Sequence, residues 1–287
     1  MTHESQSRTS VLRWQSRLLL GLALVPVSIA IAFEYVFFAS ARPILLQALA
    51  FGTLLAWLVR MSRAATLGAS FSGGLFTAAL YLATPGWRTA LWPLVALLIL
   101  TFAATRFGRA RKEQLGIAEA RLGRNAAQVT ANLGVAALAA IAIRPSLTFI
   151  PTLPAILNSQ TLRLALIAAL AEAAADTLSS ELGEVLGGEP FLLTTLRRVP
   201  AGTDGAISFA GTFAGVSAAL IVAAVASFAF GFSFVQVIQV VTAAVAGLFV
   251  DSWLGAVLER RGWLNNDAVN FLSTLSAALF ALALAVR

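Results

Sequence analysis

Cysteine is absent from the 287-residue chain, and histidine occurs once, at His3 in the polar N-terminal tail. The first absence excludes a disulfide framework and thiolate metal sites. The second removes histidine-based catalysis and metal binding. Charge is scarce too, at 11% of residues against 59% hydrophobic. There is no G-x-x-x-x-G-K-[ST] and no kinase-type G-x-G-x-x-G with its partner motifs, so no soluble nucleotide-binding domain is grafted on.

What remains is apolar. The mean hydropathy is +0.85, and continuous runs rich in Ala and Leu are long enough to cross a bilayer, which takes about 20 apolar residues. An outer-membrane barrel would show short alternating segments instead. The expected fold is all-α, a polytopic transmembrane helical bundle of about nine spans, near 18–38, 44–59, 64–83, 90–106, 126–143, 162–182, 207–230, 235–258 and 268–286. The first run follows Arg8, Arg13 and Arg17 but lacks a small-residue cleavage site, so it reads as a retained span.

Nine spans sort the 20 basic residues into two unequal sets. Only Arg42, Arg88, Arg144, Arg163 and Arg287 fall on one side. The others lie in the tail, at Arg60 and Arg63, between Arg106 and Arg124, at Arg197-Arg198 and at Arg260-Arg261. The positive-inside rule then puts the N-terminus in the cytoplasm and the C-terminus outside, in an inner or plasma membrane. The formal charge of +7 is explained by these loops, and no nucleic-acid partner is implied.

Against this background the acidic residues are unevenly placed. Glu172, Asp176, Glu181, Glu184, Glu189 and Asp204 make six of the 13 in one short stretch. Glu172 and Asp176 are four apart and share a helix face at the cytoplasmic end of the sixth span. Unpaired, they repel each other and are costly to desolvate; a bound Mg²⁺ resolves both problems, because that ion takes carboxylates, waters and substrate phosphates. The Gly183–Gly188 region reads as a helix break that lets Glu181 turn back toward Asp176. The competing reading pairs these carboxylates with nearby arginines. Arg197, Arg198 and the turn Gly202-Thr203-Asp204-Gly205 look like an anion cradle, in which glycine frees backbone N–H groups and arginine supplies forked donors.

Other polar residues invite two readings each. Glu34, beside Tyr35, reads as a carboxylate snorkelling at the interface. The Gly- and Ser-rich third span (Gly68, Gly73, Gly74) reads as close helix packing, and the basic 106–124 connection as a solvated, topology-setting loop. Asn125, Gln128 and Asn132 share one face of the fifth span and serve either as interhelical glue or as polar ligand contacts. Asp251, within the cytoplasmic half of the membrane, is a functional candidate by default. Asn266 and Asp267 either cap the last helix or meet a ligand. All these pieces fall on the cytoplasmic side of the expected topology.

The runs Asp-Thr-Leu-Ser-Ser-Glu-Leu-Gly (176–183), Leu-Thr-Thr-Leu-Arg-Arg-Val-Pro-Ala-Gly-Thr-Asp-Gly-Ala-Ile-Ser (193–208) and Gly-Thr-Phe-Ala-Gly (211–215) resemble the phytyl-phosphate kinase family. Asp-Ser-Trp-Leu-Gly-Ala (251–256), Trp-Leu-Asn-Asn-Asp-Ala-Val-Asn (263–270) and the segment from Arg124 to Asn132 extend the resemblance. The family is distantly like dolichol kinases and phosphatidate cytidylyltransferases. The resemblance spans roughly residues 60–287, leaving 1–59 as a tail with anchoring spans and 60–287 as the membrane-embedded catalytic domain. It implies phosphoryl transfer from CTP, or another NTP, to phytyl or another prenyl monophosphate, in tocopherol or related isoprenoid assembly. Asp176, Glu181 and Asp251 would be catalytic, with Mg²⁺ on Asp176, Glu181 and Glu172. Arg197, Arg198, Gly202, Thr203, Asp204, Gly205, Asn125, Gln128, Asn132, Asn266 and Asp267 would hold nucleotide and phosphates. A cytidylyltransferase making a CDP-lipid would use the same groups. A lipid or anion transporter is a third reading, weakened by the absence of an internal repeat.

Overall fold

The computed structural model describes residues 13–115, 123–144 and 158–286; His3, Arg8, Arg121 and Arg287 lie outside them. Each expected apolar run is a helix. The order is α1 (Arg13–Phe37), α2 (Arg42–Met61), α3 (Leu67–Ala83), α4 (Leu91–Arg106), α5 (Arg109–Leu115), α6 (Ala126–Ile143), α7 (Ser159–Leu186), α8 (Phe209–Phe230), α9 (Phe234–Leu254) and α10 (Asn266–Ala285). A π-helical turn, Gly255–Glu259, extends α9. Among the described residues, six segments are long and apolar enough to cross a membrane: α1, α2 with its leading turn, α6, α8, α9 with its extension, and α10. Helices α3 and α4 are apolar but shorter, at 17 and 16 residues. The 28-residue α7 has the length but carries too many charged side chains to match the other six.

Two elements were not expected. The short helix α5 folds within the basic 106–124 connection. A two-stranded antiparallel hairpin, β1 (Phe191–Leu192) with β2 (Ala206–Ile207), brackets the Arg197–Gly205 segment. Among the described residues the bundle is therefore helical with one small sheet.

Helix α7 is the hub, packing on α4, α6, α8, α9 and α10. Nearly every side chain from Leu162 to Leu178 is buried. Its alanines let neighbours approach closely, which is how membrane helices associate when the solvent is as apolar as the core. On α8, a Cβ at Gly211 would sit 2.5 Å from the Ser179 carbonyl oxygen, and one at Gly215 would sit 2.9 Å from that of Ala175. The Gly-Thr-Phe-Ala-Gly run is thus the seam between α8 and α7. The packing reading of the third span also holds: a Cβ at Gly74 would lie 2.8 Å from the Gly52 carbonyl oxygen of α2.

Hydrogen bonds show which connections share an end of the bundle. Near the start of α1, Gln15 Nε2 donates to the Trp263 carbonyl at 2.9 Å and Ser16 Oγ to Asp267 at 2.6 Å. The α2–α3 link pairs with the entry to α6, Thr66 N donating to Arg124 O at 3.0 Å and Arg124 N to Ala64 O at 2.9 Å. Lys112 of α5 bonds Glu181 of α7. The opposite ends of α1 and α6 meet where Arg144 pairs with Glu34, and Arg144 Nη1 also donates to Leu82 O at 3.3 Å. The basic connections named here thus gather at the end that holds the start of α1.

Glu34 corrects the sequence reading. It is fully buried and ion-paired with Arg144, not snorkelling, because the end of α6 closes over it. Lys112 corrects the solvated-loop reading in the same way. It is 2% exposed, with Nζ donating to Glu181 and to the Ala104 carbonyl.

Candidate functional site

The last turns of α7, the Pro200–Gly205 turn, the end of α9 and the starts of α6 and α10 enclose a polar cleft of about 270 Å³. Its position follows from local chemistry. Helix α7 runs through Gly183 without a break and ends at Leu186, where Gly187 caps it and Gly188 takes φ +63°. The expected break therefore falls after Glu181, which stays in the helix and does not turn back. Asp176, Thr177 and Ser180 thus lie on regular helix. Thr177 Oγ1 donates to the Ala173 carbonyl at 3.0 Å, and Ser180 Oγ to that of Asp176 at 3.0 Å.

Opposite α7, the Pro200–Gly205 turn presses on the end of α9. Gly202 and Gly205 have φ of +80° and +72°, a region that side chains other than glycine rarely enter. A Cβ at Gly205 would lie 2.1 Å from the Ala256 nitrogen, so the backbone contact itself requires glycine. Thr203 Oγ1 donates to the Pro200 carbonyl at 2.7 Å. Asp204, partly enclosed at the rim, has its carboxyl pushed above the ordinary range by desolvation, with Arg260 pulling the other way.

Three carboxylates meet at the inner end. Asp176 of α7 and Asp251 of α9 stand against each other, and Glu172, one turn deeper, neighbours both. Room for Glu172 comes from Gly247, where a Cβ would lie 2.7 Å from Glu172 Cγ. Ser273 is close to Glu172 and Asp251, but its hydroxyl donates to the Asn270 carbonyl at 2.9 Å. Among the described residues, both Glu172 oxygens and Oδ1 of Asp251 are buried with no hydrogen-bond partner. Arg124 supplies opposing charge: its Nη2 donates to Thr177 Oγ1 at 3.4 Å, and it faces Asp176. Buried carboxylate oxygens without donors need a cation or protons.

The cleft gathers many of the expected residues but not all. Asp176, Glu181, Asp251, Gln128, Asn132, Gly202, Thr203, Asp204, Gly205 and Asn266 line it. Glu172 lies behind the wall. Asn125 does not reach it. That residue is the N-cap of α6, its Oδ1 accepting from Ala127 and Gln128 while Gln128 Oε1 accepts from Asn125 N. Asp267 is also outside the lining, bonded to Ser16, and Asn265 is the residue that caps α10. The Arg198 side chain turns outward to an exposed pair with Glu189 at 2.9 Å, and Arg197 is not in the wall. Arg124, Ser252, Glu259 and Asn270 are lining residues that the sequence reading did not single out.

Comparison with known proteins places this architecture. Residues 50–278 match the family model described as integral membrane protein DUF92. An uncharacterized membrane protein of Synechocystis sp. is 37% identical over 201 residues, 69% of this chain and 74% of that protein. The chloroplastic protein VTE6 of Arabidopsis thaliana is 32% identical over 222 residues, 75% of this chain and 65% of that protein. An uncharacterized membrane protein of Methanocaldococcus jannaschii is 42% identical over 110 residues, 38% of this chain and 45% of its own. No solved structure matches the chain.

The chain belongs to the DUF92 family of integral membrane proteins. This is the membrane family that the runs around Asp176, Gly205 and Asp251 resemble, and those runs converge on the cleft. The donor set also bears on the magnesium expectation. Among the described residues, no group of three or more carboxylates is arranged to hold a metal, and Glu181 is already engaged by Lys112. A pair, Asp176 with Asp251, does meet. A pair supplemented by water and substrate phosphates is the way Mg²⁺ is commonly bound, so the residues fit that ion as an incomplete cage.

Proposed function

We propose that this protein is a membrane-embedded kinase that transfers the terminal phosphoryl group of CTP, or another nucleoside triphosphate, to phytyl or another prenyl monophosphate. The supporting observation is the buried carboxylate set beside Asp176, in which both Glu172 oxygens and Oδ1 of Asp251 lack a hydrogen-bond partner among the described residues, facing Arg124 and a glycine-built turn across one polar cleft. Phosphoryl transfer needs positioning and charge neutralisation more than covalent chemistry, and these groups offer both.

A terminal oxygen of the prenyl monophosphate attacks the γ-phosphorus, the bond to the β,γ-bridging oxygen breaks, and the nucleoside diphosphate leaves with that electron pair. Mg²⁺ on Asp176 and Asp251, with Glu172 behind them, would neutralise charge on the transferring phosphates. Arg124 orients a phosphate by forked hydrogen bonds. The Gly202–Gly205 turn brings backbone N–H groups close to the nucleotide phosphates. Nine membrane crossings, with the cleft at the cytoplasmic face, complete the proposal.

The test is a panel of nucleotides and prenyl monophosphates with purified protein in detergent and Mg²⁺. Label from the γ-phosphate is expected on the lipid as a diphosphate. Label from the α-phosphate would make the protein a cytidylyltransferase. No transfer from any nucleotide to any prenyl monophosphate would overturn the kinase reading.

A further inference from the structure

A second cavity of about 480 Å³ adjoins the polar cleft. Its walls come from α2, α4 and α6, and it has a different character. Leu58, Val95, Leu98, Phe102 and Leu133 are among its lining, and none of its lining residues is acidic. Its basic lining residues are Arg63, Arg106, Arg109 and Arg124. Helix α2 packs mainly on α3, and α4 on α7 and α8, while no close packing joins α2 to α4. Leu58 and Val95 are 48% and 39% exposed along that opening, which in a bilayer faces lipid. The size lies within the about 300–1,000 Å³ typical of small-molecule pockets.

Arg124 and Asn132 line both cavities. Backbone pairing fixes Arg124 there, because Ala64 and Thr66 bond it on both sides. Gly123 makes the close approach possible: at φ +72°, a Cβ would lie 2.4 Å from the Ala64 carbonyl carbon. Arg63, in the same link, has φ +56°, a conformation uncommon outside glycine and held only by well-determined surroundings. Arg106 lies with its guanidinium 3.3 Å from the Phe102 ring centroid, and Arg109 pairs with Glu113. One apolar trough, open to lipid, thus ends at an arginine whose other face meets Asp176 and Thr177.

We infer that the α2–α4–α6 groove is the tail site of an amphiphile with a phosphate monoester head, the hydrocarbon entering from the lipid and the phosphate resting on Arg124 at the junction. This assigns a site to the lipid substrate of the proposed kinase and rests on that reading. The four arginines and the absence of carboxylates suit an anionic head. Continuity with the polar cleft brings that head to the carboxylates, which a lipid held only as solvent does not need.

Two measurements test it, one independent of turnover. Hexadecyl monophosphate carrying a diazirine in mid-chain is photolysed with the full-length protein in nanodiscs without nucleotide. Labels are expected on α2, α4 and α6 wall residues, displaced by phytyl monophosphate and not by phosphatidylglycerol. Labels elsewhere, or equal displacement by phosphatidylglycerol, overturn the tail site even if phosphoryl transfer is observed. Labels in the groove without any transfer uphold the tail site and sink the kinase reading alone. In the second measurement, Val95→Trp and, from the opposite wall, Leu58→Trp fill the groove at lipid-facing positions. The KM for phytyl monophosphate is expected to rise about tenfold, the weight of roughly two buried methylene groups, with dimethylallyl monophosphate turned over as before. An equal effect on both substrates, or on neither, overturns the assignment.

Discussion

Asp176→Asn separates a metal- and phosphate-handling carboxylate from a structural one. The substitution keeps the shape and removes one negative charge from a site where Asp251 and Glu172 repel it and Arg124 attracts it. Two unit charges about 4 Å apart interact by roughly 4 kcal/mol at an effective dielectric constant of 20. Losing two repulsions against one attraction of that size leaves no net electrostatic loss. The ligand-free protein should therefore unfold no more readily than the parent, since Arg124 keeps Thr177. Activity should fall far more, by about 10³-fold, the scale on which charge-stabilising groups act in phosphoryl transfer. Thermal unfolding with and without Mg²⁺ and nucleotide supplies a second readout. A ligand at 100 times its Kd stabilises by about 2.7 kcal/mol, and the variant should lose most of that increment. If Asp176 instead served only to neutralise Arg124, its removal would cost about 3–5 kcal/mol and the ligand-free protein would be poorly folded. A well-folded variant with near-parental turnover would refute the catalytic reading altogether.

Three further outcomes are expected. Lys112→Met leaves Glu181 without its cation and should lower stability by about 3 kcal/mol, most of it recovered by adding Glu181→Gln; additive losses in thermal unfolding would deny the pairing. Glu34→Gln strands Arg144 at the end away from the cleft, so the melting temperature should fall while turnover per folded molecule stays constant; a lost turnover at full stability would give Glu34 a functional role. Gly211→Ala forces a methyl group against the Ser179 carbonyl at 2.5 Å, for about 1–3 kcal/mol of overpacking. Gly231→Ala, where φ is +68° but no atom lies within 4 Å, serves as the comparison: it carries backbone strain without the clash, and should disturb cleft activity less.

The helices were legible because membrane spans are written in composition: a lipid environment obliges the backbone to satisfy itself, so continuous apolar runs become helices. The main carboxylates were legible for the converse reason, since charge in such runs is expensive and has to be explained. The partners of those carboxylates were not. Lys112 and Glu181 are 69 positions apart, and a lysine in a basic loop reads as a topology signal until a fold buries it. Arg124 was hidden in the same way, its value lying in the pairing of two links that no periodicity announces. Arg197-Arg198 misled in the other direction: an arginine pair before a glycine turn reads as a phosphate cradle, yet Arg198 is turned to Glu189 and away from the cleft.

The arrangement of α7 explains how one helix carries both the core and the candidate chemistry. Its middle is nearly all alanine and leucine, which gives five neighbouring helices a narrow, featureless surface to pack against. That close packing holds Asp176 against Asp251, and Gly247, where a Cβ would lie 2.7 Å from Glu172 Cγ, seats Glu172 with no donor among the described residues. A bundle whose stability depended on satisfying every buried polar group would place a donor there, as Lys112 is placed for Glu181 nine residues further along α7. The contrast between Glu181, paired with Lys112, and Glu172, nine residues earlier on the same helix and with neither oxygen hydrogen-bonded among the described residues, is what supports the proposal of a ligand at the inner end of the cleft.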